Sequence, residues 1–67
     1  MIEAEVIGYW DSRAVIFTAT AETYKEALEL AYNDFCKYAD DVAKNENGWV
    51  MLDEFSSKKL EEFGIKE

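Results

Sequence analysis

Residues 2–6, Ile-Glu-Ala-Glu-Val, alternate apolar and acidic side chains. A period of two sends neighbours to opposite faces, so a strand with one wet and one dry face is expected over 2–10. Residues 13–20, Arg-Ala-Val-Ile-Phe-Thr-Ala-Thr, are rich in the β-branched and aromatic types that fill strands. Asp11-Ser12 between the two runs suits a tight turn. With a two-residue loop, Trp10 faces Arg13, Gly8 faces Val15, Val6 faces Phe17 and Ala4 faces Ala19. One face then carries Ile2, Ala4, Val6, Val15, Phe17 and Ala19, a coherent core face. Asp-Ser is not the Asn-Gly that such loops favour, so a longer loop with a shifted register is the alternative.

The period then changes. Tyr24, Leu28, Ala31, Phe35, Tyr38 and Val42 recur at spacings of four and three, which predicts an amphipathic helix through roughly Lys44. Thr23-Tyr24-Lys25-Glu26 ahead of it matches a capping box. At 1.5 Å per residue the helix is ~30 Å long and dominates the domain. Asn45-Glu46-Asn47-Gly48 stops it, because Asn and Gly tolerate the left-handed conformation that closes helices. Trp49-Val-Met-Leu reads as a third strand running out through Asp53–Phe55. Ser56 or Ser57 is placed to cap a last short helix with Leu60 and Phe63 on one side. Gly64 falls where a Schellman closure needs it, and Ile65 meets Leu60. The expected architecture is α+β, a two-layer ββαβ(α) fold in a single domain over 1–67. One long helix packs on one face of a small antiparallel three-stranded sheet.

That arrangement leaves the second face of the sheet in question. Glu3, Glu5, Ile7 and Tyr9 share it with Ala14, Ile16, Thr18 and Thr20, and Ile7 opposes Ile16. The one long helix is spent on the core face. Either the C-terminal helix folds back over Ile7 and Ile16 with Leu60 and Phe63, or an apolar cluster rimmed by acids stands ready for a partner. Trp49 and Met51 extend that cluster if Val50 and Leu52 turn to the core; otherwise Trp49 is itself a core residue.

Composition narrows the chemistry. The chain has 67 residues, seven basic and fifteen acidic, for a net charge of −8, with no histidine, no proline and one cysteine. Internal disulfides and histidine-based metal or acid–base chemistry are excluded. Direct nucleic-acid binding is disfavoured, since it relies on basic contacts to phosphate. The longest apolar runs, Ala14–Phe17 and Trp49–Leu52, fall far short of the ~20 residues of a membrane span. No signal-peptide pattern opens the sequence, and a lone thiol fits a reducing interior, so a cytoplasmic location is expected. Mimicry of DNA by the helix is out of scale. DNA carries roughly eighteen charges over ~30 Å, whereas residues 24–44 hold five acids against three bases.

Catalysis has little footing. Asp40-Asp41, Asp53-Glu54 and Glu61-Glu62 are sequence neighbours that diverge on a helix or strand, and Cys36 has no histidine to activate it. No cofactor is implied. Residues 43–54 can be laid on the EF-hand calcium loop, with Asn45, Asn47, Gly48, Val50 and Glu54 at loop positions 3, 5, 6, 8 and 12 and Phe55 following. Ala43 and Met51 stand where that loop wants ligands, so a degenerate calcium-binding domain is a minor alternative and no metal site is expected.

In size, acidity and ββαβ layout the chain resembles the small phage-encoded inhibitors of host defence, the anti-CRISPR proteins among them. The join Thr18–Ala31 is likewise common in small mobile-element proteins. The likeness is one of architecture and carries no residue roles with it. It implies a non-enzymatic interaction module that occludes a basic, nucleic-acid-binding surface on a larger protein. The face itself nominates Ile7, Tyr9, Ile16 and Trp49 as anchors, with Glu3 and Glu5 steering the encounter. The other reading is a structural module whose open face pairs with a second copy, a homodimer.

Overall fold

The computed structural model describes residues 1–65. Strand β1 (Ile2–Trp10) turns into β2 (Arg13–Ala21), followed by helix α1 (Tyr24–Asn45), the short strand β3 (Met51–Leu52) and helix α2 (Glu54–Glu62). The three strands form one antiparallel sheet in the order β2-β1-β3. The expected ββαβ(α) architecture is the one observed.

The hairpin takes the two-residue loop. Trp10 opposes Arg13, and the register continues without a bulge to Ile2 opposite Ala21. Asp11 and Ser12 both adopt positive φ, 53° and 62°, the geometry of a type I′ turn. The turn therefore forms with residues that tolerate left-handed backbone less well than Asn-Gly does.

Helix α1 starts where the capping box predicts. The Thr23 hydroxyl accepts from the Glu26 N–H at 3.2 Å and donates to the Glu26 carboxylate at 2.9 Å. Its 22 residues account for the 35 Å long dimension of the molecule. Ala27, Leu28, Ala31 and Phe35 are buried against Ala4 and Val6 of β1, while Phe17 and Ala19 of β2 pack at the margin of this core. Phe17 stands edge-on to Phe35, with ring centroids 6.0 Å apart. Gly8 is buried because Phe35 lies across it; a methyl group there would come within 2.4 Å of that ring. Ile2 departs from the expected core face and is exposed, since it opens β1 at the end of the sheet.

The C-terminal third differs from expectation in its joints. β3 ends at Leu52 rather than running to Phe55, because Asp53 caps α2: its carboxylate accepts from the Phe55 N–H at 3.1 Å. The helix thus begins before Ser56 and Ser57, the expected caps, and Ser56 is a buried residue inside it. The Asp53 N–H donates to the Ile7 carbonyl (2.8 Å), and Ser56 Oγ accepts from the Ile7 N–H (2.9 Å). The first turn of α2 therefore continues the ladder along β1 beyond β3. It directs Leu60 into the main core, where it has no exposed surface. Phe63 packs at a tilt of 52° against Tyr24, with ring centroids 5.1 Å apart. The Schellman closure forms as expected. Gly64 has φ 71°, the Ile65 N–H donates to the Leu60 carbonyl at 2.8 Å, and the Gly64 N–H donates to Glu61 at 3.1 Å.

Candidate interaction face

Alternation along β1 and β2 sends Ala4, Val6 and Gly8 toward α1 and Glu3, Glu5, Ile7 and Tyr9 to the opposite side. The register makes Ile7 and Ile16 direct cross-strand neighbours, puts Tyr9 opposite Ala14, and sets Glu5 and Glu3 opposite Thr18 and Thr20. Five of the six nominated residues thus share one face. Met51 joins them from β3, opposite Tyr9.

Neither helix covers the part of this face that holds Ile16, Tyr9 and Met51. Ile16 is 57% exposed, Tyr9 44% and Met51 61%. The fold-back of Leu60 and Phe63 over Ile7 and Ile16 does not occur, because Asp53 and Ser56 hold α2 to the edge of β1. Ile7 is half-buried, at the side of a shallow groove of about 170 Å³ that it shares with Glu5, Tyr24, Phe55, Ser56 and Lys59. Trp49 is no core residue: it stands 77% exposed just before β3, while Val50 and Leu52 pack on the core. Phe55, 79% exposed on the first turn of α2, stands where the sequence alone predicts the end of a strand. An Asp53 cap, spelled by Asp-Glu before a helical run, is the signal that would have placed it.

Tyr9 is fixed on this face by a hydrogen bond from its hydroxyl to Asp53 Oδ1, 2.8 Å long. That bond, the neighbouring negative charge and slight burial together raise its pKa above the ordinary value of about 10. Asp53 therefore ties three things together: the α2 cap, the β1 backbone and the ring of Tyr9. An aromatic anchor held in one rotamer loses less entropy when it docks.

The other nominated chemistry is not assembled. Residues 43–54 run from the last turn of α1 through a turn and β3 to the first residue of α2, with Ala43 and Met51 in place of the loop's ligands at two positions. Among the described residues no group of three or more Cys, Asp or Glu side chains is placed to hold a metal ion. Cys36 is half-buried and packs against the core. The roomier groove, about 240 Å³ beside Leu30 and Ala21, is still below the size of ordinary ligand pockets. No described helix is long and apolar enough to cross a membrane.

The chain matches no protein-family model, no curated protein and no solved structure.

Proposed function

We propose that this chain is a small acidic interaction module, not an enzyme. It docks the outer face of its sheet on a basic, nucleic-acid-binding surface of a larger protein and blocks it, in the manner of the phage inhibitors of host defence that it resembles in layout. The observation that carries this reading is the open apolar face around Ile16, Tyr9 and Met51. A folded chain of this size gains stability by covering such side chains, and monomers seldom leave contiguous apolar patches without use. Glu3 and Glu5 at one end of the face, within a net charge of −8, favour a basic partner and repel nucleic acid itself.

The test is capture from bacterial lysate with wild type, Ile16→Asp and Tyr9→Asp, followed by a mobility-shift assay of the captured protein on nucleic acid. The expected result is a basic protein that both substitutions release and whose nucleic-acid binding the wild-type chain blocks. Equal retention by all three would place the docking surface elsewhere. Reversing Glu3 and Glu5 to Lys slows association and flattens its dependence on salt; an unchanged rate would exclude steering from this face.

A further inference from the structure

The two edges of the sheet are finished differently. On the β1 side, β3 is two residues long and α2 takes up both backbone groups of Ile7. Short edge strands and covering helices are standard protection against unwanted pairing. β2 has no such protection. It is nine residues long, unbulged and free of proline, and no other described strand lies beside it.

Backbone parity shows which of its groups are free. Ile7 directs its N–H and C=O to Ser56 and Asp53, away from β2, so Ile7 and Ile16 form a non-hydrogen-bonded pair. The N–H and C=O of Ile16, and by the same alternation those of Ala14, Thr18 and Thr20, point to the open edge. Residues 14–21 carry no charge; Arg13 precedes them and Glu22 follows. On the inner face Val15, Phe17 and Ala19 are only half-buried, while Ala4, Val6 and Gly8 of β1 are buried.

The geometry points to a second copy of this chain as the occupant of that edge, paired antiparallel through β2 across a two-fold axis. Full overlap of residues 13–21 sets Phe17 opposite its own symmetry mate, Ile16 opposite Thr18, and Ala14 opposite Thr20. The last two are the hydrogen-bonded pairs that parity requires. Arg13 then lies at the end of the partner strand beside Glu22, once at each end, so opposite charges meet there, with Asp11 of the hairpin turn the other charge near each end. The result is a continuous six-stranded sheet whose two outer faces lie side by side. The inference is independent of the proposed function, because edge pairing leaves Tyr9 and Met51 uncovered.

The experiment is sedimentation equilibrium from micromolar to millimolar chain, with amide hydrogen exchange followed by NMR over the same range. The expected result is a dimer in which the amides of Ala14, Ile16, Thr18 and Thr20 gain protection with concentration. Added salt strengthens it, since two chains of −8 repel; salt weakens docking on a basic partner, which keeps the two associations apart. Thr18→Pro removes a donor from the open edge of each copy without touching the β1 ladder, and raises the dimer dissociation constant about tenfold or more. Met51→Asp leaves it unchanged. A chain that stays monomeric at millimolar concentration, a dimer whose four amides exchange as in dilute solution, or one abolished by Met51→Asp would overturn the inference.

Discussion

Val6 and Ile7 are neighbours on β1 and differ by one methylene, yet Val6 has no exposed surface and Ile7 is half-buried. Across the ladder, Phe17 rests edge-on against Phe35 while Ile16 is 57% exposed. Side-chain character does not separate these pairs. The number of layers does: one long helix covers one face, and the short helix that could have covered the other is fastened to the edge of β1 by Asp53 and Ser56. The inner face holds the fold together, and the outer face is free for another task.

This contrast is sharpest where α2 enters the inner core. Leu60→Ala is expected to cost 2–5 kcal/mol, roughly the reach of a fully buried leucine, whereas Met51→Ala on the outer face stays within about 0.5 kcal/mol. Urea unfolding of both variants checks the difference, and equal losses would dissolve the distinction between the faces. Next comes the fastening itself. Ser56→Ala leaves the Ile7 N–H without its acceptor and should cost about 1–3 kcal/mol. Increased exchange of the Ile7 amide is the local signature, and an unchanged exchange rate would show that Ser56 does not hold α2 in place.

Smaller effects probe the hairpin and the outer ring. Ser12→Gly relieves left-handed strain in the turn and should stabilise by about 0.5–1 kcal/mol; a loss of stability would contradict the type I′ geometry. Tyr9 has a raised pKa in the folded chain, so its bond to Asp53 contributes below pH ~10 and is lost as pH climbs through the folded value. The thermal midpoint of wild type should therefore exceed that of Tyr9→Phe between pH 7 and 9, with the margin closing above pH 10. A margin that is flat with pH would mean that the bond does not form in solution.

Much of this layout is legible in the amino-acid order. The two periodicities place β1, β2 and α1, and the alternation of β1 with β2 is enough to put Ile7 opposite Ile16. The terminal Gly64-Ile65 closure is written in the glycine and the spacing back to Leu60. The path of α2 is not. It depends on Asp53 serving as cap, ladder donor and acceptor for Tyr9 at once, and on a buried serine taking a strand N–H from 49 residues earlier in the chain. Neither bond has a periodic signature. The long-range joints therefore decide which face stays open, and so decide where the candidate site lies.

That openness can be measured at one residue. Urea unfolding of Ile16→Asp, at concentrations too low for self-association, should cost no more than about 1–1.5 kcal/mol, the strand propensity and the contact with Ile7 that the substitution gives up, because the carboxylate meets water in the folded chain. A loss of several kcal/mol, as expected for a charge placed in a sealed interior, would contradict the account.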